Sequence, residues 1–242
     1  LDAGLPCSLL RAKLASLGIE DGSLTAILLS HEHDDHVRGL SRLLRSHESP
    51  VVATAGTIRA LEPGPGFLHR RIVPGCPIEI GDVCVTPLPV SHDAAEPVGF
   101  VVSDGESVAA VFTDLGTVDG HVYESLCGAD LVVLEANYDS VLLELGPYPR
   151  PLKERIRSPT GHLSNEDCAS TLSRLPLLRV KEIWLAHLSA ENNTPQRALG
   201  AVTAVISARH HRPAVRVLPR RGAPVAWDSR GGSARAAQLP LL

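Results

Sequence analysis

An α/β sandwich, two sheets packed between layers of helices, is the fold this chain predicts, and three observations lead there. Strand-like and helix-like stretches alternate along its 242 residues. The early strands are joined by hairpin signals, whereas the later ones are interleaved with helices. The composition, 44% apolar, supplies one sizeable core, and α/β chains of this length commonly form a single unit.

Taken in order, Leu1-Asp2-Ala3-Gly4 reads as the end of a strand running into a turn. Nothing precedes it and the chain contains no methionine, so the expectation is a domain short of one or more N-terminal strands. Ala26-Ile27-Leu28-Leu29 is an apolar run typical of a buried strand. Residues 37–47 read as an amphipathic helix with Leu40, Leu43 and Leu44 on one face. Val51-Val52-Ala53 is a strand, and residues 57–61 a short helix. Residues 78–90 carry two strand-like pieces around a turn at Gly81-Asp82. Residues 99–102 and 108–112 flank Asp104-Gly105, a hairpin signal, and 131–134 is another buried strand. Residues 139–161, rich in Pro, Gly and charge, read as a loop with a short helix. Ser164 or Asn165 can cap a helix reaching about Leu175. Residues 181–186 are a strand, 195–209 a helix with Pro in its first turn, and 215–217 the closing strand. The domain is expected to span 1–228, with 229–242 a disordered tail.

Composition narrows the function classes. No run of 18 apolar residues predicts a membrane span, and no secretory core opens the chain. Five scattered cysteines without a C-x-x-C pair predict neither a disulfide framework nor a zinc knuckle. A reducing cytoplasm is the expected setting. A net charge of −4 is unlike a generic nucleic-acid binder. Aromatics at 3% supply a base-stacking platform poorly.

The chemistry concentrates in Ser30-His31-Glu32-His33-Asp34-Asp35-His36, between a buried strand and a helix. In an extended segment His31 and His33 point to the same side, while Asp35 and His36 turn away as the helix begins. Two imidazoles can thus serve one metal, and a carboxylate with an imidazole a second. His92, Asp114 and His187 each follow a predicted strand.

This H-x-H-x-D-H motif, with those later residues in order, resembles the metallo-β-lactamase superfamily and implies its αββα sandwich. The resemblance implies that His31, His33 and His92 hold one metal, that Asp35, His36 and His187 hold the other, and that Asp114 bridges them. Asp2 matches a family aspartate that orients a ligand histidine; its plainer reading is a solvated turn residue. Five His and two Asp without Cys suit two divalent ions, zinc or manganese, with iron an option. A hydroxide bridging the ions is the implied nucleophile, Asp35 belongs to the catalytic set, and the ions' charge keeps a phosphate substrate compatible with an acidic chain. No organic cofactor is implied, and nothing speaks to oligomeric state.

Leu134-Glu135-Ala136-Asn137 and Gly161-His162-Leu163-Ser164-Asn165 resemble the Glu/His pair of ribonuclease Z and related phosphodiesterases. The resemblance makes His162 the acid that protonates the leaving group and Glu135 its orienting partner. The plainer readings are a surface histidine near a helix cap and a surface carboxylate. Ser189, with Asn192, is the choice for a phosphate contact at a helix start; simple N-capping is the alternative.

Residues 92–100, 113–116, 134–139, 146–156, 161–165 and 187–194 are, more narrowly, similar to the YycJ/WalJ-type family, which implies 5′-to-3′ exodeoxyribonuclease activity and a link to DNA mismatch repair. That family usually carries a further strand, ending in a Ser-Gly-Ser-x-Gly-Asn turn, before the opening Asp, and often Ser where Asp34 stands. A basic stretch with Arg150, Lys153, Arg155 and Arg157 could track a DNA backbone, as could His69-Arg70-Arg71, for which a solvated loop is an equal reading. The competing readings are a small-molecule phosphodiesterase for cyclic nucleotides or sugar phosphates, a thioesterase or lactonase, and a non-catalytic DNA-binding protein.

Overall fold

The computed structural model describes residues 1–45, 48–64, 66–219 and 223–229. After α1 (Cys7–Ser16), a parallel three-stranded sheet runs in the order β1 (Ile27–Leu28), β2 (Val51–Thr54), β3 (His69–Ile72). Its crossovers carry α2 (Asp34–Val37), α3 (Leu40–Leu43) and α4 (Ala55–Ala60). The second sheet has seven strands: β4 (Ile78–Ile80), β5 (Val83–Pro89), β6 (Val98–Ser103), β7 (Val108–Phe112), β8 (Leu131–Glu135), β9 (Glu182–Ala186) and β10 (Ala214–Val217). Strands β4 to β7 pair antiparallel in sequence order. Strands β7 to β10 are parallel. Helices α5 (Gly120–Cys127), α6 (Ser140–Leu145), α7 (Arg150–Ile156), α8 (Asn165–Arg174) and α9 (Pro195–Ile206) accompany this half.

Side-chain alternation sorts the layers. In β2, Val52 packs with Ile72, Val85, Val98 and Phe100 between the sheets, whereas Val51 and Ala53 face Leu29, Leu40, Leu43 and Ile58 on the outer side. In β8, Val132 and Leu134 join the largest core with Phe112, Leu172, Ile183 and Val202, while Leu131 and Val133 face Trp184 on the opposite side. Successive residues of a strand point to opposite faces, so two buried faces need the continuous apolar runs seen here.

Several expectations change. The helix predicted over 37–47 is two four-residue turns, with residues 46–47 outside the described set. Gly39 interrupts it because its N–H donates to the Ala3 carbonyl at 2.8 Å, and a Cβ there would lie 2.1 Å from the Leu5 carbonyl. The loop predicted over 139–161 holds two helices, α6 capped by Asp139 and α7 entered through Pro149. The basic stretch therefore lies on a helix and the residue following it, not in a loop. His69-Arg70-Arg71 forms most of edge strand β3 rather than a loop. α1 and α5 have no counterpart in the sequence reading. Of the expected tail, residues 230–242 lie outside the described residues. All five cysteines are free thiols. Among the described residues no helix is long and apolar enough to cross a membrane.

Candidate metal centre

Five of the seven candidate ligands follow strand ends, and Asp35 and His36 lie in α2. His31 and His33 come after β1, His92 after β5, Asp114 after β7 and His187 after β9. Five described non-glycine residues have positive φ, and three of them are Asp2 (56°), Asp114 (58°) and His187 (56°). Such left-handed backbone costs roughly 1–3 kcal/mol per residue and persists where surrounding structure over-determines it. Here it turns the chain sharply as it leaves β7 and β9. Gly4 is needed for close approach: a Cβ there would lie 1.5 Å from the Asp35 carbonyl.

The donor atoms of His31, His33 and His92 lie within 4.8 Å of one another, as do those of Asp35, His36 and His187. Asp114, 2% exposed, lies between the groups. Its Oδ2 is 3.3 Å from His36 Nε2, and its Oδ1 is 3.9 Å from His92 Nε2 and 3.4 Å from His187 Nδ1. The structure thus brings all seven expected ligands together; Asp114 also falls in a group with Glu135, His162 and His187, and in another with His31 and His36.

Behind four of the five candidate histidines a partner orients the imidazole. Asp2 accepts from the Ser30 N–H at 2.8 Å and lies 2.9 Å from His36 Nδ1. Ser30 Oγ donates to Asp2 at 2.9 Å and is 3.0 Å from His31 Nδ1. His92 Nδ1 donates to the Gly161 carbonyl at 3.1 Å, and His187 Nδ1 to Glu135 Oε1 at 2.8 Å. With their Nδ1 turned to these partners, His31, His36, His92 and His187 direct Nε2 toward the centre, the orientation expected of a metal-binding histidine.

The electrostatics describe donors arranged for cations. Among the described residues His31 Nε2 is buried without a hydrogen-bond partner, a costly condition unless a ligand satisfies it, while His36 Nε2 and Asp114 Oδ2 are buried with only each other at 3.3 Å. Burial, reinforced by the charge of His36, pushes the His31 pKa down to about 3. Burial also disfavours the His36 imidazolium, yet the carboxylates of Asp114 and Asp2 hold its pKa up at about 10. The His187 hydrogen bond holds Asp35 well below the usual carboxylate range. Imidazole and carboxylate donors without thiolate suit divalent zinc, manganese or iron, so the residues present fit such ions.

Beside the ligands lies a second pair. Glu135, the last residue of β8, is fully buried. Its Oε1 accepts from His162 Nδ1 at 2.9 Å and from His187 Nδ1, and its Oε2 from the N–H groups of Leu115 and Leu163, both at 3.1 Å. Four hydrogen bonds make Glu135 an anchor rather than a ligand. Burial opposes charge on His162, but Glu135 raises its pKa. The His162 ring lines a cavity of about 890 Å³ shared with His33, Asp35, His36, His92, Asp114 and His187.

The remaining predicted residues divide. Ser189 lines the cavity. The cap of α9 is Thr194, not Ser189. Asn192 is 1% exposed and is not among the cavity-lining residues; its N–H donates to Ser189 Oγ at 3.1 Å. It therefore supports the loop behind Ser189 rather than facing the cavity. Of the four basic residues only Arg155 lines the cavity. Arg150 pairs with Glu154, Arg157 with Glu144, and Lys153 donates to the Glu144 carbonyl. Sequence reasoning missed Ser30, Asp93, Asn137 and Gly161. Asn137 donates to the His187 carbonyl at 2.8 Å, and its position two residues after Glu135 was the available signal.

Imidazoles and carboxylates gathered at the strand ends of an αββα sandwich define a metal-dependent hydrolase of the metallo-β-lactamase fold. The chain belongs to the β-lactamase superfamily, whose domain profile (Beta-lactamase superfamily domain) matches residues 2–188. It is 36% identical over 212 residues to Exodeoxyribonuclease YycJ of Bacillus anthracis, covering 85% of this chain and 80% of that protein. It is 35% identical over 205 residues to Exodeoxyribonuclease WalJ of Streptococcus pneumoniae serotype 2 strain D39, covering 82% and 76%. The crystal structure of the metallo-β-lactamase fold protein YhfI from Bacillus subtilis superposes with a TM-score of 0.66 at 16% identity, covering 89% of this chain and 82% of that one.

Proposed function

We propose that this protein is a two-metal phosphodiesterase, and specifically an exodeoxyribonuclease working 5′ to 3′ on DNA ends. The observation that carries the phosphodiester reading is the Glu135–His162 pair, 2.9 Å apart at the edge of the ligand cluster. Acyl transfer at a two-metal site requires no such acid, which disfavours a thioesterase or lactonase. DNA as substrate is supported by the exodeoxyribonuclease names of the relatives.

In this reading His31, His33 and His92 would hold one divalent ion and Asp35, His36 and His187 the other, with Asp114 available to both. When bound, the ions supply an activated water and positive charge at the phosphoryl oxygens. Asp2 and Ser30 keep His36 and His31 oriented. Glu135 accepts the Nδ1 proton of His162 and raises its pKa, which favours the imidazolium, whose second proton sits on Nε2. As the phosphorus–oxygen bond to the departing nucleotide breaks, that proton passes to the leaving oxygen. Ser189 contributes a hydroxyl to a phosphoryl oxygen. Arg155, with Arg150, Lys153 and Arg157 outside the cavity, contacts the DNA backbone. No membrane or organic cofactor enters this reading, and a cytoplasmic setting agrees with it.

A small-molecule phosphodiesterase is the second reading, favoured by the cavity volume, which falls within the usual range for small-ligand sites. End-labelled duplexes with and without a 5′-phosphate, incubated with added manganese or zinc, decide between them. Release of labelled nucleotides from the 5′ end is expected. Intact duplexes alongside rapid opening of a cyclic nucleotide would replace the exonuclease reading with the second one.

A further inference from the structure

The chain is poor in aromatics, yet one of them stands at the reaction cavity. Among the described Phe, Tyr and Trp residues, Tyr148 alone lines it. The ring is half-buried against Tyr138, Leu143 and Ile156, with Leu152 beside it. Its hydroxyl has no hydrogen-bond partner among the described residues, so burial of a polar group does not explain its placement. Tyr148 lies between Pro147 and Pro149. Each proline fixes its own φ, and the residue before a proline is confined to extended backbone. The turn is also held from behind: a Cβ at Gly146 would lie 2.7 Å from Asn192 Oδ1. Tyr148 is thus a rigid aromatic surface with little conformational entropy left to lose on binding.

Leu152 and Arg155 follow on α7, three residues apart and so on one face of the helix, and both line the cavity. Asp93 accepts from Arg155 Nε at 2.5 Å, while its other oxygen lies 3.6 Å from His92 Nε2. One carboxylate therefore separates the guanidinium from a candidate ligand. Tethered through Nε, Arg155 keeps its terminal nitrogens for a phosphoryl oxygen.

We propose that Tyr148, Leu152 and Arg155 form a nucleotide subsite, in which Tyr148 stacks on the base of the nucleotide carrying the scissile phosphate and Arg155 binds an oxygen of that phosphate. The inference rests on the phosphodiesterase reading and names the unit which that site takes. A planar π surface beside a cation suits a base attached to a phosphate, whereas an alkyl or sugar diester leaves the ring unused.

The test uses the full chain loaded with manganese and two esters with the same leaving group, thymidine 5′-(p-nitrophenyl phosphate) and methyl p-nitrophenyl phosphate. Tyr148→Leu should raise KM for the nucleoside ester roughly tenfold, as loss of one base stack implies, with kcat nearly unchanged and the methyl ester unaffected. Tyr148→Phe and Tyr148→Trp should keep the wild-type KM, which also guards against a folding defect in the leucine variant. Arg155→Met should impair both esters. Equal effects of Tyr148→Leu on the two esters, no effect on either, or a phenylalanine variant as poor as leucine would overturn the subsite while leaving the phosphodiesterase intact. If the metal-loaded wild type hydrolyses neither ester, the phosphodiesterase reading itself falls, and the subsite with it.

Discussion

His162 and His187 share one acceptor: Oε1 of Glu135 lies 2.9 Å from Nδ1 of the first and 2.8 Å from Nδ1 of the second. A single buried carboxylate thereby orients a candidate metal ligand and the proposed acid. The two histidines are not independent, so a change at Glu135 should disturb both metal binding and proton transfer.

Removing the acid alone separates these effects. His162→Ala should lower turnover of an unactivated phosphodiester by roughly 10²–10⁴-fold with metal content unchanged. A p-nitrophenyl ester, whose leaving group needs no proton, should lose far less. Equal losses on both substrates would reject the acid role.

Asp114 is placed to serve both ligand groups, with Oδ2 3.3 Å from His36 and Oδ1 3.9 Å from His92. Elemental analysis of the wild type should return two divalent ions per chain. Asp114→Ala should lose both ions or all activity. A wild-type content stably below one ion per chain would contradict the two-metal centre.

Asp2 reaches His36 across the start of the domain at 2.9 Å. Asp2→Asn should weaken metal affinity by roughly 10–100-fold, the usual cost of losing a carboxylate behind a ligand histidine, without changing the ligand set. Competition against a chelator measures it; an unchanged affinity would reduce Asp2 to a turn residue.

The ion pairs on α7 and the residue after it bear on DNA binding. Arg150 and Arg157 are already paired with Glu154 and Glu144. Neutralising Arg150, Lys153 and Arg157 together should reduce the magnitude of the salt slope by less than the roughly 0.9 per contact expected of free phosphate-binding cations. Hydrolysis of a small diester should persist. A full reduction of about 0.9 per residue would mean that these side chains exchange their glutamates for phosphates on binding.

A pH effect on stability is expected away from the centre, at Asp130. Burial opposes its charge, but Arg179, the Val108 N–H and Lys181 hold its pKa below the ordinary value. Because the folded pKa is depressed, the stabilisation is present above the unfolded value near 3.8 and is lost as pH falls through the folded one. Asp130→Ala should cost roughly 1–3 kcal/mol at neutral pH, and denaturant melts should show its deficit shrinking in acid.

The sequence by itself determined the candidate ligand types and the strands that deliver them. His31, His33, Asp35 and His36 occupy one short segment, and strand and helix-start geometry are local properties that apolar runs and spacing report. The hairpin at Asp104-Gly105 and the cap at Ser164 were legible for the same reason. Only the tertiary structure decided which distant residues meet. That Asp2 stands behind His36 and that Glu135 serves two histidines depend on contacts between segments far apart in the chain, which no local pattern encodes. It also decided the fate of charge and helicity. The arginines of residues 150–157 read as a basic loop in the sequence, but Glu154 on α7, Asp93 after β5 and Glu144 from α6 pair with them. The helix predicted from residue 37 breaks at Gly39 because Ala3 and Leu5 pack against it. Periodicity describes which face of a segment is apolar; what lies against that face, and how closely, is settled only when the rest of the chain arrives.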